Sequence, residues 1–176
     1  MTRRLALLLA AVLLSGTVGG AAETLRVVPL NSGGSVVVSL ELADGYTEDV
    51  RQAISSGLRT TFTYSIDLRM SVPGWVDRTI ASSTVSLSDR YDNLTRQHTL
   101  TRVVDGRVDD ETVTEDDAVV RQWLTTLTRL PIIRTARLDA SRDYYVRISA
   151  QARPRGGSLL GLSNAVTGQA KFTLIR

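Results

Sequence analysis

One imidazole, His98, is all that the sequence offers as an unperturbed acid–base group near neutral pH. A general base needs a nucleophile to serve, and no Gly-x-Ser-x-Gly elbow supplies a serine. Along the strand expected at Leu94–Val104, His98 shares a face with Arg96 and Arg102. Those neighbouring cations would disfavour a charged imidazole. Such a row is either a polar sheet face cross-paired with acids of the next strand, or a cradle for a partner's phosphate or carboxylate. Trp75, beside Pro73-Gly74, either anchors an interface from a loop tip or packs over the end of the sheet.

Other chemistries fall away by composition. The acidic run Asp105, Asp109, Asp110, Glu111, Glu115, Asp116 and Asp117 carries the oxygen ligands that calcium takes, without the alternating acids and central glycine of an EF-hand. A hairpin tip followed by a helix start accounts for these acids, so neither metal nor cofactor is expected. Cysteine is absent, which removes disulfides, thiolate catalysis, iron–sulfur clusters and a lipid-modified N-terminal cysteine. No glycine pattern matches a Walker or dinucleotide-binding loop.

The first 22 of the 176 residues have the order of a secretory signal peptide: Arg3 and Arg4, an apolar run from Leu5 to Leu14, then small residues to Ala22. Cleavage fits after Ala21 or Ala22. The run is shorter than the roughly 20 residues of a membrane crossing, and no later stretch is a candidate span. A twin-arginine signal would want a bulky residue where Ala6 stands, so the general secretory route and the periplasm of a Gram-negative bacterium are expected. Residues 23–176 are then one domain by size. Without Arg3 and Arg4, the 21 basic residues fall to 19 against 18 acidic ones, a balance that does not drive nucleic-acid binding. The charge is uneven: residues 23–117 hold 9 arginines and 16 acids, while residues 118–176 hold 10 basic residues and 2 acids.

Positioning these residues calls for strands. Phe62, Tyr64, Ile66, Leu68 and Met70 alternate with polar residues over Thr60–Met70, and Val36–Leu42, Tyr144–Ala150 and Ala170–Leu174 repeat the pattern. Weaker strands are expected at Thr24–Leu30, Thr79–Ser88, Leu94–Val104 and Ile132–Leu138, with a short strand after an Asp105-Gly106 hairpin turn. Thr47 caps a helix from Glu48 with Val50, Ala53, Ile54 and Leu58 on one face, closed near Gly57. Thr114 with Asp117 opens a second helix, whose face Val119, Val120, Trp123, Leu124, Leu127 and Leu130 runs to Pro131. The fold class is therefore α+β and β-dominated: antiparallel sheets, able to pack as a sandwich, with two helices. The glycine-rich stretch Pro154–Gly168, with Leu159, Leu160 and Leu162, reads as a long mobile loop covering a sheet edge or forming a contact surface.

Ala53 and Gly57-Leu58, the Phe62–Arg69 strand, Trp75, Asp77, the run Tyr91-Asp92-Asn93-Leu94-Thr95-Arg96-Gln97-His98, and Tyr145-Val146-Arg147 together resemble the domain of unknown function 4390 family. These are short exported proteins of Gram-negative bacteria without an assigned activity. The resemblance covers Leu40 to Arg153. It implies an envelope or signalling connection, since such proteins are often encoded beside a nitrogen-regulation-type sensor kinase. The expected function is a non-enzymatic periplasmic interaction module for another envelope protein or a small ligand, with Arg96, His98, Arg102 and Trp75 as contact residues. The alternatives are a carrier of a lipid or hydrophobic ligand, and a hydrolase using His98.

Overall fold

The row Phe62, Tyr64, Ile66 and Leu68 lies on a single strand and is buried throughout, and the other layers are built around it. The computed structural model describes residues 24–154, 165–172 and 174. In chain order these form β1 (Thr24–Ser32), β2 (Ser35–Ala43), α1 (Glu48–Ser55), β3 (Thr60–Met70), β4 (Arg78–Asp92), β5 (Gln97–Val104), β6 (Arg107–Thr114), α2 (Asp117–Thr125), β7 (Thr126–Arg134), β8 (Tyr144–Pro154) and β9 (Val166–Phe172). The expected leader, 1–22, and Leu159, Leu160 and Leu162 lie outside the described residues.

Six strands form one antiparallel sheet in the order β6-β5-β4-β3-β8-β9, and three form a second in the order β1-β2-β7. Strand pairing aligns the apolar rows: Phe62 faces Leu87 and Ala152, Tyr64 faces Val85 and Ala150, and Ile66 faces Ile148. Over this surface lie Val38, Leu40 and Leu42 of β2, Leu127 and Leu130 of β7, and the buried faces of the two helices. The helices contribute Val50 and Ile54, and Val120 and Leu124. The result is two layers, a wide sheet on one side and a narrow sheet with two helices on the other, as the α+β expectation required.

Local signals work as read at several points. Thr47 accepts from the Val50 amide at 3.3 Å, and Gly57 takes the left-handed φ of +81° that ends α1. Asp105 and Gly106 both have positive φ, the geometry of a two-residue hairpin turn between β5 and β6.

Elsewhere the fold corrects the reading. α2 is capped by Asp116, which accepts from the Ala118 amide at 2.7 Å, while Thr114 accepts from the Asp116 amide. The helix ends at Thr125 and not at Pro131; Leu127 and Leu130 belong to β7. The cause is a bulge. Val38 pairs with Leu130 and Leu40 with Leu127, so Ser39 opposes both Thr128 and Arg129. Arg129 takes φ +54°, and its amide donates to the Ser39 hydroxyl at 3.1 Å. The extra residue spaces two inward leucines three apart, which imitates a helical period. Pro131 fits because β7 is an edge strand. The strand expected at Ile132–Leu138 is thus displaced to Thr126–Arg134, followed by a short 3-10 turn at Thr135–Arg137. Of the expected Pro154–Gly168 loop, Pro154 ends β8 and Val166–Gly168 open β9, while residues 155–164 lie outside the described residues.

Gly168 lies where β9 meets β1, the seam between the two sheets. A Cβ there would stand 2.6 Å from the Leu25 carbonyl oxygen. In an ordinary strand alanine is more stable than glycine by about 0.5–1 kcal/mol. Gly168→Ala is expected to reverse that sign and cost about 1–3 kcal/mol by overpacking, read from denaturant unfolding. An unchanged or higher midpoint would show that the seam has room.

Candidate functional site

On β4 the inward row is Ser83, Val85, Leu87 and Asp89, and on β5 it continues with His98 and Leu100. His98 pairs directly with Tyr91, which sets Asp89 on the diagonal, within reach of a long polar contact. His98 Nδ1 and Asp89 Oδ2 are hydrogen-bonded at 2.9 Å, with both side chains buried. The other ring nitrogen, Nε2, lies 3.5 Å from Asp117 Oδ1 at the start of α2. The Tyr91 ring is tilted against the imidazole at 4.5 Å between centroids. His98 is therefore on the buried face, set between two carboxylates, and not on a polar face between two cations. The physical reason is coverage: α2 closes over this part of β5 and removes it from water.

Asp89 Oδ1 has no hydrogen-bond partner, and burial pushes its carboxyl above the usual carboxylate range while the bond to His98 pulls the other way. Tyr46, whose buried hydroxyl also lacks a partner, is held above its ordinary value by burial and by the charges of Asp117 and Asp89. A phenol so placed stays protonated. Arg121 lies over the Tyr46 ring at 5.5 Å.

His98, Tyr46, Tyr91 and Asp117, though not Asp89 or Arg121, line an open cleft of about 770 Å³ between α1, the β4–β5 turn and the β6–α2 junction. Arg51 and Arg96 also contribute to its walls. Arg96 is not on a strand, because β5 begins one residue later. Asp92 Oδ1 accepts from the amides of Leu94 and Thr95, and Arg96 closes the turn in the left-handed conformation with φ +58°. The turn puts Leu94 in solvent, 94% exposed, and leaves Arg96 without an ion-pair partner among the described residues.

Arg102 does not join them. A bulge at Arg102/Val103 brings both Asp109 and Asp110 of β6 to its guanidinium, at 2.6 and 3.0 Å, and the Trp123 ring lies under it at 5.5 Å. It is thus cross-paired with acids of the next strand, and the three-residue cradle does not form. Trp75 is 81% exposed at the tip of the β3–β4 loop, at the Met70 end of β3, whereas Asp89 stands beside Thr60 at the other end. Of the four candidates only Arg96 and His98 share a site.

Sequence reasoning missed Asp89, Asp117, Tyr91 and Tyr46. One signal was present: Asp89 continues the inward parity of Val85 and Leu87, and an acid on an apolar face calls for a buried partner. Neither Ser55 nor Thr114 on the cleft wall is hydrogen-bonded to His98. The Ser55 hydroxyl donates to the Gln52 carbonyl, and the Thr114 hydroxyl accepts from the Asp116 amide. Nor do Asp89 and Asp117 converge on one point, since they face opposite ring nitrogens; no group able to hold a metal ion occurs among the described residues. Also among these residues, no helix is long and apolar enough to cross a membrane.

A family model described as a domain of unknown function (DUF4390) matches residues 21–154. No curated protein and no solved structure matches the chain.

Because Asp89 titrates above 3.8 in the folded chain, the native state keeps a proton that the unfolded chain has released between 3.8 and the raised value. Its contribution to stability is full below 3.8 and is lost as pH rises through that window. The melting temperature of wild type minus that of Asp89→Asn is therefore expected to fall as pH rises there. A difference that grows with pH would mean that the carboxylate is the favoured native form.

Proposed function

The chain belongs to the family of the domain of unknown function DUF4390, and we propose that it acts as a non-enzymatic binding module of the periplasm whose contact surface is the cleft beside His98. The observation that carries this reading is the engagement of the imidazole. Both ring nitrogens face carboxylates, so His98 ties β4 and β5 to the start of α2 and holds no hydroxyl for attack on a substrate. What remains accessible suits recognition: the Tyr46 and Tyr91 rings, the acids at the start of α2, and the unpaired guanidinium of Arg96 on a turn braced by Asp92. A braced turn loses little freedom on binding.

The apolar interior is a continuous packed cluster from Leu25 to Ala150, which supports binding at the surface over carriage of a ligand within. The leader-like order of residues 1–22 supports export, and in that compartment the partner is another envelope protein. The family resemblance fits a place in envelope sensing.

A photoreactive residue in place of Ser55, on the cleft wall, should trap one discrete envelope protein in intact cells. Arg96→Glu should lower that yield roughly tenfold with thermal stability unchanged. Arg102→Glu should lower stability instead, because it sets a third acid against Asp109 and Asp110. Undiminished trapping in Arg96→Glu, or ester, phosphate or glycan hydrolysis that vanishes in His98→Ala, overturns the reading.

A further inference from the structure

About 30 Å from the cleft, the length of β3, the β3–β4 loop ends the wide sheet with two large apolar side chains in solvent. Trp75 is 81% exposed and Val76 is 75% exposed. This tip is held in place. Asp77 accepts from the Tyr145 hydroxyl at 2.6 Å and from the Val72 amide at 3.3 Å, and its carbonyl accepts from Arg69 at 3.0 Å. The Trp75 amide donates to the Val72 carbonyl, Gly74 takes φ +74°, and the Ser71 amide donates to Asp143 of the β7–β8 connection. Two exposed apolar residues on so constrained a loop are displayed at an ordering cost already met in folding.

Cations outnumber acids at this end of the protein. Arg78 begins β4 opposite Met70, Lys171 on β9 pairs with Tyr145, Arg134 ends β7, and Arg137 lies in the turn that crosses from the narrow sheet to the wide one. All four are exposed, and none has an ion-pair partner among the described residues. Of the nearby acids, Asp77 keeps its charge, held by the neutral donors Tyr145 and the Val72 amide, Asp139 stands 3.9 Å from Arg142, and Asp143 is exposed, so the cations Arg78, Arg134, Arg137, Arg142 and Lys171 exceed them by two. The cationic excess of residues 118–176 is thereby partly collected at the end that carries Trp75.

We propose that this end of the protein rests on an anionic phospholipid surface, with Trp75 and Val76 entering the headgroup region and Arg78, Arg134, Arg137 and Lys171 facing lipid phosphates. A protein hot spot wants a concave, desolvated partner surface with directed pairs. A small apolar tip flanked by dispersed, unpaired cations fits instead the diffuse negative charge of a bilayer and the preference of tryptophan for its interface. The proposal is independent of the cleft.

The purified mature chain, residues 23–176, is mixed with vesicles of phosphatidylcholine alone or with phosphatidylglycerol added. Co-sedimentation is expected only with the anionic vesicles and should weaken with salt. Trp75→Ala, and separately Arg134→Glu with Arg137→Glu, should each weaken it roughly tenfold. In a Trp123→Phe background, Trp75 emission should shift to the blue and be quenched by lipids brominated on the acyl chain. Equal binding to both vesicle types, unquenched Trp75, or binding indifferent to Trp75→Ala overturns the proposal. A lipid-free change of oligomeric state in Trp75→Ala does so as well, and assigns the tip to a second copy of the chain.

Discussion

Side chains alternate along a strand, so Phe62, Tyr64, Ile66 and Leu68 leave water together, along with the rows of β4 and β8 that they pair with. A six-stranded sheet that buries one face needs a covering layer nearly as wide as itself. The narrow sheet supplies three strands, and α1 and α2 supply the remainder. The Tyr64 hydroxyl marks where this cover is fastened. α2 ends by passing straight into β7, which leaves its last carbonyls without helical partners. Tyr64 donates to one of them, the buried Leu124 carbonyl, at 2.6 Å. An unmet carbonyl there would cost about 1–3 kcal/mol. The residue at the centre of the apolar row thus also settles the hydrogen bonding of the helix that lies on it.

The cleft follows from the mixed composition of that cover. Two helices and a narrow sheet do not tile a broad sheet edge to edge, and the uncovered corner lies between α1, the β4–β5 turn and the start of α2. At such a corner the inward face is neither dry nor wet. Asp89 and His98 occupy this boundary: each would be costly to bury alone, and their mutual bond makes burial tolerable. Asp117 then draws the N-terminus of α2 toward the same ring. One polar chain links two strands and a helix, and it forms the floor of the surface on which recognition is proposed.

The two ends of the wide sheet differ in kind. The cleft end carries acids, tyrosines and one unpaired arginine on a short turn, whereas the Met70 end carries a braced apolar tip among exposed cations. A rigid sheet between them keeps the two surfaces at a fixed separation. A module that meets a bilayer with one end would hold the other end out toward proteins at the membrane surface.

Much of this was legible along the chain. Alternation located β2, β3, β8 and β9, Thr47 and Gly57 bounded α1, and Asp105-Gly106 set the hairpin, because each depends only on near neighbours or on a residue's own φ preference. The family was legible too, from motifs strung along most of the domain. Three features belong to tertiary structure. The bulge at Arg129 gave β7 the leucine spacing of a helix, and only pairing with β2 distinguishes the two. Arg102 left its apparent neighbours for two acids of β6, through a bulge that no local pattern announces. His98 changed from an exposed base to a buried link because α2, more than fifteen residues away in sequence, covers it. Period and chemistry are properties of a segment, but burial and partnership are properties of what is laid across it.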